Sequence, residues 1–314
     1  MRIETLSLRN FRSYRHLDMD FRGPDGRIRD FTCLYGPNGI GKTTVLEAVT
    51  LLCSSFDFVE AGPVGHDTLA EKIAKDRMEN YLKKYIRNID EDIPGQSMLI
   101  AGTFVHDGQT FKVELNEKGF ATNELLKQPF WWPGITYYAK FDTEMTNFQL
   151  QEHLWPDFKK AFEAITGFSV EPQIESTRMG QYAIGFWLMK PDGKVHCRKA
   201  SAGEKKLTRT LSSIINMEQE RRPHIVLVDE IEGHVYYKRH LKMVEVVKGL
   251  FESMQLIATT HSLPVIESYE PREHLLDIEN VKYDIKETDN VQQSGDRTQD
   301  SGAGVGEVPG PKEV

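Results

Sequence analysis

Gly36-Pro37-Asn38-Gly39-Ile40-Gly41-Lys42-Thr43 sets two glycines five residues apart and ends on a lysine followed by a hydroxyl. That is the spacing a polyphosphate needs. The glycines let the backbone wrap close, and successive N–H groups point inward at the anion. Lys42 brings a positive charge between the β- and γ-phosphates, and Thr43 a hydroxyl for Mg2+. Asn38, Gly39, Ile40, Gly41, Lys42, Thr43 and Thr44 are therefore expected to bind nucleotide, as a P-loop.

Three further groups complete a candidate reaction site. Ile225-Val226-Leu227-Val228-Asp229-Glu230 ends an apolar run on two carboxylates. Asp229 is expected to hold the magnesium shell with Thr43, and Glu230 to orient or deprotonate an attacking water. His261, in Ala258-Thr259-Thr260-His261-Ser262, is expected beside Glu230, within reach of a γ-phosphate or its water. Ser201 and Gly203, in Ala200-Ser201-Ala202-Gly203-Glu204, open a helix whose free N–H groups and positive end suit an anion. Alone, the Ser201 segment is an ordinary helix cap.

The elements that position these groups are legible as alternations and runs. Residues 3–9 and 16–22 read as strands, and Phe31–Tyr35 as a buried strand entering the glycine loop. Val45, Leu46, Ala48, Val49 and Leu52 share one face of the helix that follows. Hairpins are expected over 97–105 with 110–115, and over Tyr182–Met189 with Val195–Lys199. Residues 148–166 read as a helix with Pro156 at a boundary or kink. From Ser201 onward the pattern is helix 204–221, strand Ile225–Val228, helix 236–253 and strand Leu256–Thr259. The first of these helices is about 27 Å long. This alternation implies a mainly parallel sheet. The charged stretch 66–92 is expected to be a helical insertion.

Composition narrows the class. The 314 residues carry a net charge of −8, with 39% hydrophobic and 27% charged residues. No apolar run of about 18 residues or more is present, so a membrane span is not expected. The start Met1-Arg2-Ile3-Glu4 does not build a signal segment. Cys33, Cys53 and Cys197 have no metal spacing and read as reduced thiols of a cytoplasmic protein. After about residue 287 the chain becomes rich in Gly, Ser, Pro, Asp and Glu and is expected to be disordered.

These motifs, in this order, resemble the ABC-type ATPases of the RecF, Rad50 and SMC branch. Leu8-Arg9-Asn10-Phe11-Arg12-Ser13-Tyr14 is similar to the segment that precedes the P-loop there. Asp229-Glu230 followed by Ile231-Glu232-Gly233-His234, with Thr260-His261-Ser262, is most similar to the OLD-like subgroup common in phage-defence and DNA-processing systems. The resemblance covers 1–60 and 195–266 well and the middle poorly. It implies an α/β P-loop NTPase, an ABC-type head with a mixed sheet, a β-hairpin lobe and a helical insertion. The ATPase domain would span 1–287, with 1–60 and 195–287 as nucleotide-binding core, 61–194 as the lobe, and 288–314 as the tail.

The resemblance also implies a mechanism with ATP and Mg2+ as cofactors. ATP would bind Asn38–Thr44, with Arg12 as a further contact. Ser201, Gly203 and Glu204 of a second copy would close over the γ-phosphate, Glu230 would activate water, and His261 would sense or position the phosphate. A homodimer or higher oligomer through the ATP sites follows. Three departures stand out. Ala200 and Ala202 replace the usual signature residues. No Q-loop glutamine is evident among Gln149, Gln151 and Gln173. His234-Val235-Tyr236-Tyr237 stands where His-Leu-His-Pro is usual. About 160 residues without heptads separate the P-loop from Ser201, so long coiled-coil arms are not expected. About fifty residues follow His261, too few for the nuclease domain of OLD proteins. The output is then expected to pass through a separate effector, such as a nuclease or toxin. DNA is a further candidate partner through clusters such as Arg9, Arg12 and Arg15, or Lys238, Arg239 and Lys242. A membrane partner is not expected. A transporter-type ATPase subunit and an ATP-dependent scaffold are the alternatives.

Overall fold

The computed structural model describes residues 1–59, 97–116, 119–125, 136–139, 152–176, 182–221, 224–233, 235–251 and 254–281. The expected helical insertion at 66–92, Gln149, Gln151, His234 and the tail 288–314 lie outside them.

Three sheets carry the described chain. The first is antiparallel: β1 (Arg2–Phe11), β2 (Tyr14–Asp20), β4 (Leu99–His106), β5 (Gln109–Asn116) and β6 (Gly119–Asn123), in the order β2-β1-β4-β5-β6. The second is parallel throughout and holds β3 (Phe31–Tyr35), β7 (Thr136–Ala139), β11 (Ile225–Val228), β12 (Gln255–Thr259) and β13 (Leu275–Asp277), in the order β13-β3-β12-β11-β7. The third is the antiparallel set β8 (Ser169–Ser176), β9 (Tyr182–Lys190) and β10 (Gly193–His196).

The parallel sheet is buried on both faces, which is why its strands read as apolar runs rather than as alternations. Leu34, Ile225, Leu227 and Ile257 join one core with helix α1 (Lys42–Val59) and the antiparallel sheet. Their strand neighbours Phe31, Cys33, Val226, Val228, Leu256 and Ala258 point into a second core. That core is closed by α2 (Trp155–Thr166), α3 (Ala202–Arg221) and α4 (His240–Leu250). In α1 the expected face is fully buried: Val45, Leu46, Ala48, Val49 and Leu52. Pro156 sits in the first turn of α2, where its missing N–H costs no helical bond.

Several boundaries differ from those expected. Strand β7, within the stretch 61–194 read as the lobe of the ATPase domain, pairs in register with β11, and β4 to β6 extend the sheet of β1 and β2. The helix expected from residue 236 begins at His240, after a short 3-10 turn over Tyr237–Arg239, and Tyr236 and Tyr237 are exposed.

One side chain joins the two large sheets. Gln255, with no exposed surface, accepts the Ile3 amide through Oε1 at 2.7 Å and donates from Nε2 to the Ile3 carbonyl at 2.9 Å. It replaces the ladder bonds β1 lacks on that side and so satisfies a buried backbone pair.

Candidate functional site

The carboxyl ends of β3, β12 and β11 lie side by side, the position where an open parallel sheet presents ligand sites. The chain leaves β3 through Gly36, Gly39 and Gly41, at φ 141°, 77° and 112°. Only glycine adopts these values readily. At Gly41 the demand is also steric, because a Cβ there would fall 2.6 Å from both the Ser13 Oγ and the Tyr14 hydroxyl. The turn between β1 and β2 thus packs directly on the phosphate loop. Two non-glycine residues at this corner have positive φ, Asn10 near the end of β1 and Arg12 in the turn, both at 49°.

Lys42 is 5% exposed. Its ammonium donates to the carbonyls of Gly36 at 2.7 Å and Pro37 at 3.0 Å, and lies 3.2 Å from His261 Nδ1. Burial lowers its pKa, and Asp229, Glu232 and Glu230 act against that shift. An ammonium has only donors. His261 Nδ1 must then accept, which places the imidazole proton on Nε2, a donor suited to a phosphate oxygen.

Because β12 lies between β3 and β11, its last residue meets both neighbouring strand ends. Thr43 Oγ1 donates to Asp229 at 3.0 Å to Oδ2, and Thr259 Oγ1 donates to Asp229 Oδ1 at 2.6 Å. The same Thr259 oxygen accepts the Glu230 amide at 2.8 Å. Glu230 is exposed and adopts φ 52°, a strained value for a residue with a Cβ. Thr259 therefore sets both the carboxylate of Asp229 and the turn that lifts Glu230 off the sheet. Its role was not legible, since one threonine at a strand end carries no spacing signal.

The chain just beyond Glu230 is tied to the chain just beyond β12. Glu232, 8% exposed, accepts the Thr260 hydroxyl and the His261 amide, both at 2.7 Å. His240 adds a second tie, with Nε2 2.8 Å from the Val235 carbonyl and Nδ1 2.7 Å from Ser262 Oγ.

The remaining expected residues fall elsewhere. Arg12 forms an ion pair with Glu47 of α1. Ser201 and Glu204 form a capping box at the start of α3: the Ser201 amide and hydroxyl each donate to Glu204 Oε2 at 2.8 Å, and the Glu204 amide donates back to Ser201 Oγ at 3.3 Å. Glu204 Oε1 lies 2.7 Å from Lys190 Nζ. Partial burial opposes ionisation of Glu204, but the hydrogen bonds from Lys190 and Ser201 outweigh it and hold the carboxyl below its usual range. The contacts of Ser201 and Glu204 thus run within the cap and to Lys190. Ser201 and Ala202 face solvent, with Gly203 partly exposed. Gln173 lies on β8.

Mg2+ takes oxygen ligands and is bound through one or two carboxylates plus substrate phosphates. The Thr43 hydroxyl and the Asp229 carboxylate, already in contact, are such a donor set.

This fold and this strand-end cluster define the head of an ABC-type ATPase, and comparison with known proteins agrees. The RecF/RecN/SMC N terminal domain matches residues 2–286. The chain belongs to that family. It is 23% identical over 283 residues to Septu protein PtuA of Bacillus mycoides, covering 83% of this chain and 38% of PtuA. It is 46% identical over 55 residues to the DNA replication and repair protein RecF of Roseiflexus castenholzii, covering 18% of this chain and 12% of RecF. The chain thus spans well under half the length of either. The SMC head domain from Thermotoga maritima superposes with a TM-score of 0.53 at 18% identity, over 86% of this chain and 93% of that domain. That likeness shows the fold alone.

Proposed function

We propose that this chain is an ATP-binding and hydrolysing switch whose two copies close on ATP and gate a separate effector. The observation that carries the reading is the bonded group Thr43–Asp229–Thr259, with Glu230 lifted beside it just beyond β11. It offers a hydroxyl and a carboxylate for Mg2+, and a second carboxylate for water.

In this reading the backbone of Asn38–Thr44 and the Lys42 ammonium bind the triphosphate. Bound Mg2+ supplies neutralisation of the phosphate oxygens. Glu230 takes a proton from the water that attacks the γ-phosphorus, and the bond to the ADP oxygen breaks. The Nε2–H of His261 donates to a γ-phosphate oxygen. The exposed start of α3 in a second copy covers the same phosphate with its N–H groups. Loss of the γ-phosphate removes that shared anion and the pair opens. The ATPase unit is read as 1–287.

The setting is proposed as the cytoplasm, in antiphage defence or DNA repair. The resemblance of the Asp229-Glu230 and Thr260-His261-Ser262 segments to the OLD-like subgroup supports the first, and the likeness to the DNA replication and repair protein RecF the second. Among the described residues, no helix is long and apolar enough to cross a membrane. The effector, a nuclease or toxin, must bind the open and closed pairs with different affinity, or hydrolysis would shift nothing.

Glu230→Gln tests the reading. It keeps shape and loses the base, so turnover should fall at least about 100-fold, while ATP binding persists and a dimer accumulates in sedimentation with ATP. Lys42→Ala should neither bind nor dimerise. Wild-type turnover by Glu230→Gln would remove Glu230 from the reaction.

A further inference from the structure

Glu232 takes no part in the reaction as proposed, yet it is a carboxylate with 8% of its surface exposed. Burying such a charge is costly unless donors meet it. Here both oxygens are met from one place. Oε2 accepts the Thr260 hydroxyl and Oε1 the His261 amide, each at 2.7 Å. Thr260 Oγ1 in turn accepts the Ser262 amide at 3.0 Å, and the Ser262 hydroxyl meets His240 at 2.7 Å. His240 reaches back to the Val235 carbonyl at 2.8 Å. The turn after Glu230 and the turn that holds His261 are therefore fastened at both ends, and the fastening nearest the imidazole is Glu232.

We propose that Glu232 is the positioning residue of His261. Its carboxylate fixes the His261 backbone, and so keeps the imidazole against the Lys42 ammonium at the phosphate end of the loop. The proposal rests on the reading of His261 as the phosphate-facing group. Glu232 touches neither nucleotide nor water in this account. Its positioning effect runs through His261, so its removal should mimic removal of that imidazole, while the charge it places near Lys42 is removed equally by Glu232→Gln.

The test uses the full chain and Glu232→Met, which fills a similar volume and accepts no hydrogen bond. His261 is followed by NMR in histidine-labelled protein, its signal identified by loss in His261→Ala, before and after AMP-PNP with Mg2+. In the wild type the signal should move on nucleotide addition. In Glu232→Met it should move much less, although AMP-PNP still binds. With ATP, kcat should fall on the order of tenfold with KM little changed. The double variant with His261→Ala should be no slower than His261→Ala alone. Glu232→Gln, whose amide oxygen still accepts the His261 N–H, should restore most of the response. Thr260→Val removes only the hydroxyl arm and should give an intermediate shift, which keeps the idea testable if Glu232→Met does not fold. An unaltered His261 response in both Glu232→Met and Thr260→Val, or multiplicative losses in the double variant, would overturn the proposal. A wild-type His261 signal indifferent to AMP-PNP would instead overturn the phosphate-facing reading itself, and the proposal with it.

Discussion

Two glycines of one loop should respond very differently to the same methyl group. At Gly39 the cost is conformational only: φ is 77° and nothing stands within 4 Å of a Cβ. Gly39→Ala should lose about 1–2 kcal/mol of stability. Gly41→Ala adds a collision with the Ser13 and Tyr14 oxygens at 2.6 Å. It should move the β1–β2 turn, lose more than Gly39→Ala and abolish nucleotide binding. Urea denaturation with a nucleotide titration compares the two, and equal losses would mean the turn gives way freely. Lys42, Thr43 and Asp229 were legible because phosphate chemistry dictates their spacing, and the fold brings them together. Thr259, Glu232 and Gln255 were not. Each is a common polar residue whose partner lies far along the chain, so only the pairing of strands brings the two together. Arg12, read as a nucleotide contact through the family resemblance, forms an ion pair with Glu47 on α1.

Among the elements, α3 carries the most in the proposed cycle, because its start must serve two ends. Its capping box holds Ser201 and Glu204 to each other, leaving the remaining first-turn N–H groups for an anion from outside. Glu204→Ala should cost about 1 kcal/mol through the lost cap and weaken ATP-dependent pairing. Ser201→Arg should leave ATP binding by a single copy near wild type while stopping hydrolysis, since a bulky side chain would stand where the partner's phosphate docks. Filter binding and phosphate release separate the two, and hydrolysis by Ser201→Arg at the wild-type rate would reduce this helix start to a cap. Runs such as Ile225–Val228 were legible as buried strands because both sheet faces are covered. Strands β7 and β13, of 4 and 3 residues, were not. Neither makes an apolar run like that of Ile225–Val228, since β7 mixes Thr136 and two tyrosines and β13 ends on Asp277, and both exist through the neighbours they pair with.

At the scale of the molecule, the antiparallel and parallel sheets share a core through α1 and are bonded through the Gln255 amide. Gln255→Leu would leave the Ile3 amide and carbonyl buried without that partner, at a cost of about 1–3 kcal/mol. Because β1 leads straight into the turn against Gly41, the same variant should also weaken nucleotide binding. Chemical denaturation and a nucleotide titration read both effects, and unchanged stability would show that the junction does not depend on this amide. The joined partners Ile3 and Gln255 are 252 residues apart, and the strand that delivers the phosphate loop lies between β12 and β13, the last two strands among the described residues. At about 5–20 residues per second of synthesis, the P-loop strand waits on the order of tens of seconds on the ribosome for both neighbours. For that interval the strand Phe31–Tyr35 has no ladder partner on either side. The nucleotide site therefore cannot be complete until β11, β12 and β13 have been made, long after the loop itself.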